Sequence, residues 1–420
     1  MMRGPRYYFT RLFYIIAGLR ITKWRKHIVE FWNLEREEQV RAFDDFLLTH
    51  KPLNADGVPI SASGDVYTSP VLTKSAYRES ELTASASGTF NRKTSGTTGE
   101  PTKITLRREE LSRMLGVRDY CFSHYGVSLG DREARFWARA DGGVKSRLKN
   151  FFLNRKVCFP VGEDACKSVA KILSWKPDYL YGYASLLLEA AVLVEKYNIK
   201  FTPPRCVVCT AETIMPAQKE YLAMVFNAPV AEEYGATEFD ILAFECRNGH
   251  RHLVNPWLLV RDHHGTLLVT DISRRSANLV NYEIGDSGTI EVSECALLGS
   301  AEYLSVLEGR SIHRFVYVTP ETRFHSVDLA YAINEYQRLE REIFSFRLIQ
   351  AEYGEVDIYV SAEPLAGCAA LKDYIERKIC GRTGNNIVIN IYVGVNPEQQ
   401  AEKSYFVQKI QQPAREVALT

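Results

Sequence analysis

The sequence predicts an α/β protein with a large N-terminal domain, residues 1–309, and a small α+β C-terminal domain, residues 310–420. Helix and buried-strand patterns alternate from 164 to 233, which is typical of helices flanking mixed or largely parallel sheets. From Cys246 the pattern changes to short β segments, which indicate a small β subregion at about 244–308. Beyond Gly309-Arg310 helix and strand patterns alternate again, over about 110 residues, a length at which a domain can fold alone.

The predicted elements follow in order along the chain. A helix is predicted over 28–50, and the Ser- and Thr-rich stretch from there to Gly99 is predicted to be loop. Further helices are predicted at 109–125, 164–175, 185–197, 216–226 and 369–379. Strands are predicted at 103–106, 178–183, 206–210, 229–233, 265–270, 288–292, 355–360 and 386–393.

Composition excludes some classes of protein. The 52 basic and 51 acidic side chains nearly cancel, so no global charge favours nucleic acid as a partner. Nine cysteines without a secretory signal do not indicate a disulfide framework, and we expect a reducing cytoplasm.

The N-terminal segment is basic and aromatic. Its apolar run, Leu12 to Leu19, is shorter than the roughly 20 residues that span a bilayer, so we expect no transmembrane segment. The stretch from Arg3 to Lys26 is predicted to be an ordinary helix packed on the large domain. Contact with a membrane surface is the alternative.

A hydroxyl-rich glycine loop stands in the first quarter of the chain. It reads Thr94-Ser95-Gly96-Thr97-Thr98-Gly99-Glu100-Pro101 and is followed by Lys103. Glycines let backbone amides turn toward an anion, hydroxyls add donors and the lysine adds charge, so a triphosphate fits. It is not a Walker loop, because the terminal Gly-Lys-Ser/Thr is missing. A flexible linker is the alternative.

A second motif follows a predicted strand at Tyr234-Gly235-Ala236-Thr237-Glu238. This motif and the Thr-Ser-Gly-Thr-Thr-Gly-x-Pro order of the loop resemble the two signatures of the adenylate-forming superfamily of acyl-CoA ligases. The resemblance implies ATP and Mg²⁺ as cofactors and a mobile C-terminal domain. It also implies that Tyr234 faces the base, Thr237 contacts a phosphate oxygen and Glu238 holds Mg²⁺.

Two shorter motifs resemble nucleotide contacts of the same enzymes. Thr210-Ala211-Glu212 matches their adenine-contacting turn. Asp286, in Gly285-Asp286-Ser287-Gly288, matches the carboxylate that binds the ribose hydroxyls, with a plain β-turn as the alternative.

The C-terminal part carries two further matches, each with a departure. Gly309-Arg310 resembles the start of the hinge between domains, where the arginine reaches the nucleotide, but His313 replaces the usual aspartate. Lys403 stands where the family places its catalytic lysine, which stabilises charge as pyrophosphate leaves. Glu402 replaces the usual glycine before it, and a solvated surface lysine is the alternative.

The resemblance is closest to the phenylacetate-CoA ligase-like and CapK-like branch. Its markers are the segments Ser69-Pro70-Val71-Leu72-Thr73-Lys74, Tyr181-Gly182-Tyr183-Ala184-Ser185 and Phe244-Glu245-Cys246. One departure is Asn281, where the branch has arginine.

That branch can hold a structural zinc, and three of its ligands match Cys246, His252 and Cys295. The fourth position is Leu297, so a complete tetrahedral site needs His250 or another residue. A relic loop with free thiols is the alternative.

The resemblance implies activation of a carboxylic acid as acyl-AMP, then transfer to a thiol such as CoA or to an amine, in specialised metabolite or polysaccharide biosynthesis. An aryl or similar planar acid is expected, because the candidate lining is largely aromatic. Its members are Tyr181, Gly182, Tyr183, Tyr234, Trp137, Arg139 and Asp141.

Alternatives remain open for function. The chain could be a catalytically degenerate nucleotide-binding scaffold, or its acceptor could be a small nitrogen nucleophile. The expected partners are a small-molecule acid and an acceptor, and a homodimer is conceivable.

Overall fold

The computed structural model describes residues 3–79, 90–93, 103–137, 143–160, 164–295, 297–310, 315–340, 342, 344, 346–394 and 406–410. The chain divides into two compact units. The first consists of Met1–Ala211 and Leu222–Leu307, and the second of Glu212–Tyr221 and Glu308–Thr420.

The helices of the described chain are α1 (Pro5–Ile16), α2 (Ile21–Trp32), α3 (Arg36–His50), α4 (Ser63–Thr68), α5 (Lys74–Glu79), α6 (Arg108–Ser123), α7 (Val144–Phe152), α8 (Ala165–Ser174), α9 (Ala184–Lys196), α10 (Pro216–Phe226), α11 (Val327–Glu340) and α12 (Cys368–Thr383). Its strands are β1 (Phe90–Lys93), β2 (Lys103–Leu106), β3 (Glu133–Phe136), β4 (Arg155–Cys158), β5 (Tyr179–Tyr183), β6 (Val207–Thr210), β7 (Val230–Ala236), β8 (Asp240–Glu245), β9 (Arg251–Leu253), β10 (Leu258–His263), β11 (Thr266–Asp271), β12 (Tyr282–Glu283), β13 (Asp286–Val292), β14 (Glu302–Arg310), β15 (Phe315–Tyr317), β16 (Arg323–His325), β17 (Phe346–Gln350), β18 (Glu355–Val360), β19 (Val388–Val393) and β20 (Phe406–Gln408).

A large mixed sheet forms the centre of the first unit. Its described strands lie in the order β13-β14-β9-β8-β7-β6-β5-β3-β4. Strands β4, β3, β5, β6 and β7 are parallel, and β8 and β9 continue the sheet antiparallel. All four residues of β6 are buried, as expected of a parallel strand with both faces covered. The α/β class predicted from the sequence is confirmed.

The N-terminal region differs from its prediction. The helix predicted over 28–50 is two helices, α2 and α3, because a turn at 33–35 breaks it. The Glu35 amide donates to the Glu38 carboxylate at 3.1 Å, which caps the new helix start. The predicted loop likewise contains the short helices α4 and α5 and the strand β1. These elements were not predicted because their sequences are polar.

Close packing joins α2 to α6. A Cβ added to Gly116 would lie 2.7 Å from the Cβ of Trp24, so only glycine permits this approach. Trp24 and Ile28 of α2 are buried in the same core as Val117 and Tyr120 of α6.

The remaining strands form small sheets. Strands β10, β11 and β12 form an antiparallel sheet in the predicted β subregion of the first unit. In the second unit, the sheet order is β19-β18-β17-β20. Its apolar face packs with α11 and α12 around a separate core that includes Leu348, Ile358 and Ile375. None of the helices in the described part of the chain combines the length and the apolar character that crossing a membrane requires.

A buried carboxylate lies at the start of β3. Glu133 accepts hydrogen bonds from Arg135 at 2.5 Å, from Arg155 at 2.9 Å and from Tyr179 at 2.9 Å. Burial alone would raise its pKa, but the two guanidinium groups outweigh this and hold the pKa of Glu133 at about 2. The carboxylate therefore stays charged, and its hydrogen bonds hold β3 against β4 and β5.

This shift predicts a pH dependence. The pKa of Glu133 falls from 4.5 to about 2 on folding, so its stabilisation is present above about pH 4.5 and is lost as the pH falls toward 2. Between pH 6 and pH 3 we expect the free energy of unfolding of the parent to fall by on the order of 2 kcal/mol more than that of Glu133→Gln. Urea unfolding at several pH values measures this. Glu37→Gln, at an exposed position, is the matched control, and its free energy of unfolding should change with pH as that of the parent does. The same pH dependence in all three proteins would contradict the prediction.

Candidate functional site

The carboxyl ends of the parallel strands lie side by side at one edge of the large sheet. The register pairs Tyr183 of β5 with Thr210 of β6, and Thr210 with Glu233 of β7. In open α/β sheets ligands bind beyond this edge. The predicted site residues at 181–183, 210–211 and 234–238 are therefore brought to the same place.

A buried ion network supports this edge from below. Arg118 of α6 donates to Glu233 through both terminal nitrogens, at 2.8 and 3.3 Å, and it also contacts Asp240. Glu233 accepts further hydrogen bonds from Tyr181 at 2.8 Å and from Thr210 at 3.1 Å. Desolvation opposes the charge on Arg118, but its two carboxylate partners outweigh this and raise its pKa well above the ordinary value.

The same network reaches the stem of the predicted phosphate loop. Arg92 of β1 lies 3.5 Å from the Asp240 carboxylate. Strand β1 pairs with β2 up to Lys93 and Lys103, so these strands bracket the segment that contains the loop. Burial would raise the pKa of Asp240, but Arg118 and Arg92 lower it. Asp240 therefore links the loop stem to the end of β7.

Backbone shape at the second motif requires glycine. The ladder between β7 and β8 shifts register between Tyr234 and Gly235. A Cβ on Gly235 would lie 2.0 Å from the carbonyl oxygen of Asp240, so any larger residue would force the strands apart.

Two signature residues contact each other directly. The Tyr234 hydroxyl donates to the Asp286 carboxylate at 2.9 Å, and burial with that carboxylate raises the pKa of Tyr234 well above its usual range. The resemblance assigns these two residues to the base and the ribose of one nucleotide. The structure brings them together.

Glu238 is buried and already has partners. Its carboxylate accepts a hydrogen bond from Tyr282 at 3.1 Å and lies 3.2 Å from the Lys74 ammonium. In the sequence, Lys74 is only part of the Ser69-to-Lys74 segment that is typical of the branch. Thr237 is half-buried beside it.

Aromatic rings lie next to this edge. The centroid of the Trp137 ring lies 4.0 Å from that of Tyr183 and 6.2 Å from that of Tyr181. The Arg135 guanidinium lies over the Tyr181 ring, 4.6 Å from its centroid. Tyr181 is buried and belongs to the ion network, and burial raises its pKa to about 12. Trp137 and Tyr183 are half-buried. At Gly182 a Cβ would lie 2.4 Å from the carbonyl oxygen of Phe136, which keeps β5 close to β3.

Several predicted site residues lie outside the described residues. They are Thr94, Ser95, Gly96, Thr97, Thr98, Gly99, Arg139, Asp141, His313 and Lys403. For Lys103 and Arg310 the backbone is described, as the first residue of β2 and the last of β14, but the side chain is not. Ala211 ends the first unit with a left-handed backbone, φ 66°, and Glu212 begins the second.

Asn281, which stands where the branch has arginine, holds a neighbouring segment of the chain in place. It is buried with φ 50°, and its side-chain amide donates to the carbonyls of Val66 at 2.7 Å and Ser69 at 2.8 Å. Asparagine adopts this backbone conformation more readily than most residues. Asn281 thus holds the segment before α5, and so Lys74, against the small sheet.

A separate cluster joins two cysteines and two histidines. One ligand atom from each of Cys246, His250, His252 and Cys295 lies within 4.8 Å of the others. The two sulfur atoms are 3.7 Å apart. His252 Nδ1 donates to the Ser300 carbonyl, while its Nε2 and the Nδ1 of His250 are buried and have no hydrogen-bond partner among the described residues. His250 thus joins the three ligands predicted from the sequence.

Sequence reasoning missed Arg118, Asp240, Arg92 and Tyr282 as members of the site. One signal was available, because Arg118 lies in the middle of a helix among buried residues, where an unpaired charge is costly. Its partners follow α6 by more than a hundred residues and could not be identified from the local pattern.

Comparisons with known proteins bear on the fold of the chain. No protein-family model matches the chain. Over 258 residues the chain is 23% identical to Protein CapK of Staphylococcus aureus, a match that covers 57% of this chain and 57% of that protein. The chain thus spans little more than half the length of this curated relative.

Solved ligases share the fold. A 2-hydroxyisobutyryl-CoA ligase in the postadenylation state, in complex with R3-HIB-AMP, superposes with a TM-score of 0.63 at 16% identity and covers 87% of this chain and 88% of its own. The anthranilate CoA ligase AuaEII in complex with anthranoyl-AMP gives 0.52 at 16% identity, over 75% and 65%. The predicted resemblance to adenylate-forming ligases is confirmed for the fold, and similarity to CapK supports the predicted branch.

The ion network predicts a large effect of one substitution. Arg118→Met leaves Glu233 and Asp240 buried without their shared cation, so we expect the free energy of unfolding to fall by roughly 3–5 kcal/mol. Arg108→Met, on an exposed position of the same helix, is the control and should change it by less than about 0.5 kcal/mol. Urea unfolding followed by circular dichroism compares them. Similar losses in both variants would show that the network does not carry this stability.

Proposed function

We propose that this chain activates a carboxylic acid as its acyl-adenylate with ATP, and then transfers the acyl group to a thiol such as CoA or to an amine. In the first step a carboxylate oxygen attacks the α-phosphorus, the bond to the bridging oxygen breaks and pyrophosphate leaves. In the second the acceptor attacks the acyl carbon, and AMP leaves with the bonding electron pair. The contact between Tyr234 and Asp286 carries the proposal, because it joins two nucleotide motifs at the ligand edge of this fold.

The nucleotide would lie along this edge. Tyr234 offers an aromatic face to the adenine, and Asp286 offers two oxygens to the ribose hydroxyls. The loop Thr94–Pro101 with Lys103 would hold the phosphates. Its stem is linked through Arg92 to Asp240, which supports a position near the end of β7.

Glu238 fits a magnesium ion, since a carboxylate oxygen is the ligand that Mg²⁺ prefers. Bound there, the ion would neutralise triphosphate charge. Lys74, 3.2 Å from Glu238, balances the buried carboxylate. We infer that Lys74 positions the Glu238 carboxylate for the ion.

The acid would lie against Trp137 and Tyr183. Their half-buried rings favour an aryl or similar planar group. Tyr181 supports the floor of the site through Glu233. The proposed reaction would belong to specialised metabolite or polysaccharide biosynthesis, as the resemblance to the CapK-like branch implies.

Isotope exchange between pyrophosphate and ATP tests the first step. We expect acid-dependent exchange by the parent over a panel of aryl and aliphatic acids. Glu238→Gln and Lys403→Ala should each lower the rate about 100-fold, since each removes charge stabilisation made in the transition state. Lys409→Ala, an exposed lysine nearby in the chain, is the control and should exchange like the parent.

One outcome would overturn the proposed reaction, and another would overturn only the role of Lys403. ATP binding without exchange for any acid would identify a nucleotide-binding scaffold instead. Full exchange by Lys403→Ala would remove the role proposed for that lysine.

We also propose that Cys246, His250, His252 and Cys295 hold a structural zinc ion. Tetrahedral zinc with metal–sulfur bonds of about 2.3 Å places two thiolate sulfurs about 3.8 Å apart, which agrees with the observed 3.7 Å. The bond from His252 Nδ1 to the Ser300 carbonyl leaves its buried Nε2 as the ligand. The ion would join the turn after β8 to the segment before β14.

Elemental analysis tests this site. We expect about one zinc per chain in protein expressed with zinc, and less than about a tenth of that in Cys295→Ser. Cys166→Ser alters an equally half-buried cysteine outside the cluster and should retain the metal. Equal zinc in both variants, or none in the parent, would contradict the proposal.

A further inference from the structure

Helix α1 is apolar on two faces, of which one is packed. Thr10 and Tyr14 are buried against the first unit. The opposite face exposes five large apolar side chains, spaced i, i+1, i+4, i+7 and i+8, which is one continuous stripe on a helix. They are Tyr8, Phe9, Leu12, Ile15 and Ile16, and the last two are 68% and 77% exposed.

Helix α7 extends this surface. Its exposed Val144, Leu148 and Phe151 lie at i, i+4 and i+7 and form a second stripe. Ring contacts join the helices, with Phe9 6.1 Å from Phe151 and Phe13 4.6 Å from Phe152. The two stripes form one surface, the α1/α7 face. Contiguous exposed apolar surface of this kind marks an interaction site, unlike single scattered residues.

The charged side chains that α1 and α7 themselves carry have one sign. The sequence contains no aspartate or glutamate from Arg3 to Val29 or from 143 to 160. The Arg6 guanidinium lies 3.7 Å from the Phe151 ring and 5.1 Å from the Phe9 ring, in the middle of the surface. In α7 the exposed Lys145, Arg147 and Lys149 alternate with the apolar side chains.

We propose that the α1/α7 face binds the surface of an anionic lipid bilayer. Apolar and aromatic side chains would enter the boundary between headgroups and acyl chains, while the arginines and lysines contact lipid phosphates. Amphipathic helices with this combination lie in the plane of the interface. The chain would then bind the membrane peripherally, through this one face.

Charge argues against a second copy as the occupant. In a two-fold dimer the same surface meets itself, so Arg6 and the lysines of α7 would face a partner surface whose helices also carry only cations. Apolar contact would favour such a dimer, but the like charges oppose it. An anionic bilayer offers acyl chains to the apolar stripes and phosphates to the basic side chains. The inference does not depend on the proposed reaction.

Vesicle co-sedimentation of the full chain tests this. The probes are vesicles of phosphatidylcholine alone and of phosphatidylcholine with about one third phosphatidylglycerol. We expect binding to the anionic vesicles that weakens as salt is raised, because exposed charges are screened. Ile16→Asp with Val144→Asp should lower the partition coefficient about tenfold or more.

The chain offers a control matched in exposure. Val292 is 77% exposed, like Ile16, and Leu365 is 81% exposed, like Val144. Val292→Asp with Leu365→Asp introduces the same charges on other surfaces and should bind like the parent. All four positions are exposed, so folding is expected to survive, and thermal unfolding checks this.

Two results would overturn the inference. One is equal binding by the Ile16/Val144 variant and the control. The other is a parent that dimerises in sedimentation velocity and ignores vesicles, with the dimer lost only in the Ile16/Val144 variant, because this would identify a second copy as the occupant.

Discussion

The structure of the large sheet at the carboxyl ends of its parallel strands depends on one buried guanidinium. Arg118 comes from α6, whereas its two partners, Glu233 and Asp240, belong to β7 and the start of β8. None of these charges can be buried alone without a large desolvation cost, so folding must bring all three together. The two carboxylates then anchor Tyr181, Thr210 and Arg92, which fixes the ends of neighbouring strands and the stem of the glycine loop.

In β7, the residue that stabilises the sheet is adjacent to the residue proposed to contact the nucleotide. Glu233 faces the network and is fully engaged, whereas its neighbour Tyr234 points to Asp286 at the ligand edge. Alternation along the strand places one side chain on each face, so a single strand can do both tasks. The proposed reaction needs this rigidity, since charge-stabilising groups must be in place before the pyrophosphate leaves.

Much of the fold could be predicted because its patterns are local. The strand predicted at 355–360 and the helix at 216–226 have the predicted bounds, since alternating apolar residues after Gly354 mark the strand and Pro216 marks the start of the helix. The split between α2 and α3 and the strands β3 and β4 were missed. The helix was overextended because its amphipathic pattern continues through the turn at 33–35, where only the capping contact of Glu35 marks a new start. The signature motifs predicted Tyr234, Glu238 and Asp286 as candidate site residues, but not the residues that contact them.

The sequence by itself determined the elements with strong local patterns, the two candidate nucleotide motifs and three members of the cysteine and histidine cluster, because each depends on residue order within a short segment. Only the tertiary structure decided the partners of Arg118, the place of His250 and which face of α1 is left in solvent. Helix α1 carries apolar residues on both sides, so periodicity cannot tell the packed face from the free one. Contacts between distant segments make that choice, since the free energy of burying a side chain depends on what it meets.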